Sequence, residues 1–198
     1  MKKIIAITAV IVVLAVAAVG GTLAWLTDQD TVTNTFTVGN VQIKLDEAKV
    51  GTNGKAILAG QQGAGRVQTN SYHIIPGAVL DKDPTVTVEA GSESCLVYVY
   101  IDNGLGNHAT LNINTANWSA VSGYSGLYKY IGTVPAVTAD TPLPAVFTTV
   151  TIEGAALTNA TLETLNNEQI IVKAYAIQSE NLGSTDTDEL AYIALTTP

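Results

Sequence analysis

The sequence predicts an all-β protein: an antiparallel two-sheet sandwich with a short C-terminal helix. Three observations carry this. Threonine and valine dominate after residue 30, and β-branched residues favour the pleated, half-buried surface of a sheet. Glycine, present 17 times, and asparagine divide the chain into short segments. Seven to nine such segments follow at the spacing of a jelly-roll or immunoglobulin-like sandwich.

The chain opens on Lys2 and Lys3, then on a run of sixteen residues, 4–19, apolar but for Thr8. Small residues follow at 20–22 and at Ala24. This is the layout of a secretory signal peptide cut between Ala24 and Trp25. An uncleaved anchor is the alternative, because residues 4–27 carry no charge and are long enough to span a bilayer. Asp28 and Asp30 follow, rather than a basic stop-transfer cluster, which agrees with translocation of the remainder. The expected division is a signal peptide over 1–24, an N-terminal segment over 25–40 and a sandwich domain over 41–198.

Nine Lys and Arg face seventeen Asp and Glu, a net charge of −8, and loss of Lys2 and Lys3 makes it −10. So acidic a chain is a poor electrostatic partner for nucleic acid, anionic membranes or polyanionic wall polymers. Membrane association would come only through the uncleaved signal. Cys95 is the single cysteine, so no internal disulfide forms. Its place at the front of an apolar strand reads as a small buried thiol.

In order along the chain, residues 32–38 alternate with Phe36 and Val38 on one face. After Gly39 and Asn40 the apolar set moves to Val41, Ile43 and Leu45, so a bulge or kink is expected there. Residues 48–65 are Gly-rich and read as a loop with at most a short strand at 56–58. Residues 67–75 read as the next strand, Pro76–Gly77 as a turn, and 85–89 as a clean alternation. Residues 95–101 are apolar on both faces and so central. A turn covers 102–107. One strand-like piece carries Leu111, Ile113 and Trp118, and another spans 124–131. Pro135, Pro142 and Pro144 mark a long connection before strands at 146–152 and 170–177. A short helix is predicted over 157–165. A second helix is predicted over 186–195, capped by Asp186 with Glu189 and striped by Leu190, Ile193 and Ala194.

Three stretches together resemble the TasA/camelysin family, secreted proteins of Gram-positive bacteria processed by a SipW-type signal peptidase. The first is Gly20-Gly21-Thr22-Leu23-Ala24-Trp25-Leu26-Thr27-Asp28 with Asn34-Thr35-Phe36-Thr37-Val38-Gly39-Asn40-Val41. The second is Ile75-Pro76-Gly77 leading into Asp81-Lys82-Asp83-Pro84, followed by Val97-Tyr98-Val99. The third is Val172-Lys173-Ala174-Tyr175-Ala176-Ile177-Gln178. The resemblance implies a jelly-roll-like sandwich, exported to the cell surface or biofilm matrix, that polymerises into fibres. It implies that the mature N-terminal segment, with Val32, Asn34, Phe36 and Val38, inserts as a strand into a neighbouring copy or a related fibre subunit. An exposed sheet edge would accept such a strand, and a head-to-tail contact that does not close makes a filament. The alternative is that residues 32–45 are simply the first strand of their own sheet.

No catalytic constellation appears, and no cofactor is implied. His73 and His108 are the only histidines and lack the spacing that sets two metal ligands on one helical face. Asp81, Asp83, Asp102 and Asn103 lack the order of a calcium loop and read as solvated turn residues. Trp118, Tyr124, Tyr128 and Tyr130 either pack in the core or line a sugar-stacking face, which would make the protein a monomeric surface module. A secreted metalloprotease ranks last.

Overall fold

A computed structural model describes residues 40–154 and 157–197. The β-branched segments form eleven strands there, every pair antiparallel, with two helices. The strands are β1 (Ile43–Ala48), β2 (Arg66–Val67), β3 (Val79–Asp81), β4 (Thr85–Val88), β5 (Cys95–Asn103), β6 (Ala109–Ile113), β7 (Trp118–Ala120), β8 (Leu127–Tyr130), β9 (Thr141–Pro142), β10 (Phe147–Ile152) and β11 (Ile170–Gln178). The helices are α1 (Asn159–Thr164) and α2 (Thr187–Thr196). The expected all-β architecture with a short C-terminal helix is the one observed. The signal cleavage at Ala24–Trp25, the segment with Val32, Asn34, Phe36 and Val38, and the kink at Gly39 lie outside the described residues.

One layer is the sheet β11-β5-β8-β7. β5 is central and buried on both faces, as its continuous apolar run requires. Cys95, Val97, Val99 and Ile101 face the main core, and Tyr98 faces a second cluster under α2. The Cys95 thiol is fully buried, and burial pushes its pKa up, which suits an inert packing residue.

The other layer is two small sheets, β2-β1-β4-β9 and β3-β10-β6, where a single sheet was expected. The division falls at Asp83–Pro84, between β3 and β4. Pro84 has no N–H to give a ladder, and its ring fixes the bend. Its carbonyl still accepts from Val146 N–H at 3.0 Å, and Val86 O accepts from Leu143 N–H at 2.8 Å, so the β9–β10 connection follows the same bend. Val86, Val88, Phe147, Val150, Ile152 and Trp118 fill the space between the layers. Each such side chain contributes about 1.5–3 kcal/mol by leaving water.

Several local expectations are corrected. Residues 67–75 do not form a strand. Only Arg66 and Val67 pair with β1, although Tyr72 and Ile74 still pack on the core. Beyond Val67 the chain leaves β1, and the Asn70 side chain reaches back to the end of that strand: its Oδ1 accepts from Val50 N–H and its Nδ2 donates to Ala48 O. The strand at 56–58 reduces to one bridge between Val50 and Ala56. Leu111 and Ile113 belong to β6, whereas Trp118 lies on β7 in the opposite layer, so one piece is in fact two.

α1 is capped by Thr158, whose Oγ1 accepts from Thr161 N–H at 3.2 Å. Asp186 caps α2 by accepting from Asp188 and Glu189 N–H. The buried face of α2 is not the expected stripe. Ala191 and Leu195 are buried, whereas Ile193 is 51% exposed and Leu190 39%. Two polar anchors rotate the helix. Asp188 meets Tyr98 and Lys129 at its start, and Lys173 Nζ donates to Leu195 O at its end.

Candidate functional site

β11 is a nine-residue strand at the edge of its sheet. Ser179 N–H donates to Ser94 O, and Gly104 N–H to Gln169 O, so the odd-numbered residues of β11 face β5. The N–H and C=O groups of Ile170, Val172, Ala174, Ala176 and Gln178 therefore point away from the sheet, and among the described residues no strand pairs with them. The side chains of Ile170, Val172, Ala174 and Ala176 are half-buried against the core.

β1 approaches β11 from the other layer. Glu89 N–H donates to Gln42 O, so the even-numbered residues of β1 face β4 and the odd-numbered ones face outward. β2 takes up that outward edge only at Glu47 and Ala48. Ile43 and Leu45 lie beyond its reach, and both are half-buried on the core. Val41, Ile43 and Leu45 are thus at home in their own sheet, with Val41 also packed on the core. Among the described residues, β11 and the start of β1 thus present two edges without a strand partner, both backed by partly covered apolar side chains.

Of the family-motif residues, Lys82, Asp83 and Pro84 sit at the far end of β1 and hold the corner, whereas Pro76 and Gly77 lie just before β3, where Gly77 N–H donates to Glu153 O. Ile75 to Ala78 form a type II turn: Ala78 N–H donates to Ile75 O at 3.0 Å, Pro76 takes the second position, and Gly77 the third with φ +77°. Lys82 Nζ bonds Glu47 Oε2 at 2.5 Å. Asp83 Oδ1 accepts from Ala48 N–H at 2.6 Å, and its Oδ2 from Arg66 Nη1 at 3.0 Å. Pro84 is buried at the bend between the two small sheets. Lys82, Asp83 and Pro84 thus position β1 and β4, and the Pro76–Gly77 turn sets the entry to β3.

Four partners at this corner were not singled out from the sequence: Asp46, Glu47, Arg66 and Asn70. Asp46 and Glu47 are each 5% exposed. Arg66, the only arginine of the chain, bonds the Asp46 carboxylate through Nε and donates from Nη2 to Asp46 O at 2.9 Å. Lys44 Nζ meets the other Asp46 oxygen at 2.7 Å. Burial opposes ionisation of Asp46, but the hydrogen bonds from Arg66 and Lys44 outweigh it and hold its carboxyl below the usual range. Burial, with Glu47 and then Asp83 and Asp81 nearby, pushes the Tyr72 phenol up, and its OH donates to Asp81 O at 2.9 Å. No local signal in the sequence marks these four partners, because residues 48–80 around Arg66 hold no Asp or Glu.

Of the aromatic residues, Trp118 packs in the core, and Tyr124, Tyr128 and Tyr130 are half-buried. Trp118 is fully buried, meets Tyr130 edge-on at 5.4 Å and donates from Nε1 to Pro144 O at 2.9 Å. Tyr124 stacks at a tilt on Tyr192 of α2. Trp118 therefore offers no surface to a sugar ring. The histidines are apart: His108 Nδ1 lies 3.1 Å from Glu153 Oε2, and His73 is exposed in the 67–78 segment. Among the described residues no group of three or more His, Cys, Asp or Glu side chains is placed to hold a metal ion. Asp81 is engaged by Lys55 and by Ala56 N–H. A shallow cleft of about 490 Å³ between β6 and the 125–128 turn is lined by Ile101, Asn103, Leu111 and Tyr128, with no carboxylate, amine, imidazole or thiol.

Comparison with protein-family models, curated proteins and solved structures yields no match.

Proposed function

We propose that the protein is a secreted structural protein that forms or decorates extracellular biofilm-matrix fibres by strand donation between subunits. The reading assigns it no enzymatic role and no cofactor. One observation carries it: among the described residues the nine-residue β11 edge has unpaired backbone groups, with half-buried apolar side chains behind them. An unpaired edge of this length is a ready template for another chain. Ala174 and Ala176 are small, which leaves space for larger side chains such as Phe36 and Val38. The donor would be the 25–38 segment of a second copy or of a related subunit, freed by a SipW-type peptidase that cuts at Ala24–Trp25. Until cleavage the segment stays tethered to the membrane. Membership of the TasA/camelysin family, with its jelly-roll strand order, goes with this reading.

The test is electron microscopy of the chain beginning at Trp25, at neutral and acid pH, beside a chain beginning at Asn40. Acid is included because a net −10 chain repels itself and protonation relaxes that. Filaments from the longer chain and monomers from the shorter one support strand donation. Filaments from both, or monomers from both at every concentration, refute it.

A further inference from the structure

Glu47 joins an amine to a carboxamide. Its side chain is 7% exposed and its two oxygens have different partners: Oε2 bonds Lys82 Nζ at 2.5 Å, and Oε1 accepts from Asn70 Nδ2 at 2.9 Å. One carboxylate thus holds a primary amine and a primary amide side by side. The rest of the pocket is arranged around the same two groups. Val50 N–H donates to Asn70 Oδ1 at 3.0 Å, and Ala48 O accepts from Asn70 Nδ2 at 2.9 Å. The Tyr72 ring flanks Lys82, with Nζ 5.8 Å from its centroid. The Lys82 side chain is only 12% exposed.

We propose that Lys82 and Asn70 join through an intramolecular isopeptide bond, formed by the chain itself with Glu47 as the proton carrier. Glu47 Oε2 takes a proton from the Lys82 ammonium along their hydrogen bond. The freed amine attacks Asn70 Cγ, and negative charge develops on Oδ1, where Val50 N–H already points. The attacking nitrogen gives up a second proton to the Glu47 carboxyl, which delivers the first to Nδ2. The Cγ–Nδ2 bond breaks and ammonia leaves, with the surplus proton left on Glu47 or carried off as ammonium. One C–N bond forms, one breaks, and nothing is oxidised or reduced. Fixed proximity supplies what a free amine in water lacks, and burial keeps hydrolysis from competing.

The bond would tie the 66–70 segment to the corner where β3 turns into β4, beside the end of β1. A chain with one cysteine has no internal disulfide to staple this corner. An isopeptide bond would do so independently of redox conditions.

Intact-mass measurement on the folded full-length chain tests this. The expected mass is lighter than the sequence mass by one ammonia. Trypsin should fail to cut after Lys82, leaving one fragment over 67–129 whose missing ammonia maps between Asn70 and Lys82. Glu47→Gln and Asn70→Ala should each return the full sequence mass, and Asn70→Ala should restore cleavage after Lys82. Asn53–Gly54 and Asn103–Gly104 can also lose ammonia by closing to a succinimide, the second within the 67–129 fragment, so location decides. Full sequence mass in a folded wild-type sample, or ammonia loss placed at Asn53 or Asn103, overturns the proposal. The wild-type measurement decides even where a variant fails to fold.

Discussion

Tyr98 and Asp188, ninety positions apart, meet at 2.6 Å, and this contact sets which face of α2 is buried. The phenol also lies 2.8 Å from Thr187 Oγ1, and Lys129 Nζ reaches the same Asp188 oxygen at 3.0 Å. Asp188→Ala is expected to lower stability by about 1 kcal/mol, because Tyr98 keeps Thr187 as a partner. Thermal unfolding followed by circular dichroism checks the value. The near-ultraviolet signal of Tyr98, Tyr100 and Tyr192 should weaken with it as α2 loosens.

The two faces of α2 should respond in opposite ways to substitution. Leu195→Ala is expected to cost about 2–3 kcal/mol, since Leu195 is buried against the Tyr98 cluster. Ile193→Glu should change stability by no more than about 0.5 kcal/mol, since Ile193 faces solvent. Urea unfolding of both variants measures the contrast. A large loss in Ile193→Glu would mean that something covers that face.

Asp46 and Asp188 make stability depend on acid. Burial disfavours ionisation of each, but hydrogen bonds from Arg66 and Lys44 at Asp46, and from Tyr98 and Lys129 at Asp188, hold both carboxyls below the usual range. A depressed folded value means that the unfolded chain takes up protons first. The contribution is therefore fully present above the ordinary carboxylate range and is lost as pH falls through the folded values. Melting temperature should hold steady near neutrality and fall between about pH 5 and about pH 2. Asp46→Asn should flatten that slope.

Removing Asp46 outright should be more costly than neutralising it. Asp46→Ala leaves Arg66 with Asp83 and the backbone carbonyl at 46, and strips Lys44 of its partner. The expected loss is about 2 kcal/mol, less than for a fully buried pair because Arg66 stays part-exposed. Denaturant midpoints for Asp46→Ala and Arg66→Met, with the double variant, give the coupling.

Ala174→Pro separates folding from assembly. The Ala174 amide points away from β5, so proline removes no bond made within the described residues. The variant should fold, with circular dichroism close to wild type, and should fail to form filaments because the edge loses a donor and gains a ring. Filaments of normal appearance in Ala174→Pro would place the acceptor elsewhere.

Much of this architecture is visible in local pattern. The 95–101 run, apolar on both faces, reads as a central strand, and it is central because α2 covers its outer face. Asp186 reads as a helix cap and is one. Val41, Ile43 and Leu45 read as one face and pack as one. These features depend on neighbours in sequence, which alternation and capping report directly.

The remainder depends on partners far along the chain. Residues 67–75 alternate as a strand does, yet only Arg66 and Val67 pair with β1, and Asn70 is held instead through its side chain to Val50 N–H and Ala48 O. The stripe of Leu190, Ile193 and Ala194 is a real periodicity on the wrong side, because Tyr98, Lys129 and Lys173 choose the angle at which α2 docks. The motif residues Lys82, Asp83 and Pro84 mark a special place, but their work depends on Asp46, Glu47, Arg66 and Asn70, which folding brings around them. Periodicity is a property of adjacent residues; hydrogen-bond partners, open edges and buried carboxylates are properties of segments brought together by folding.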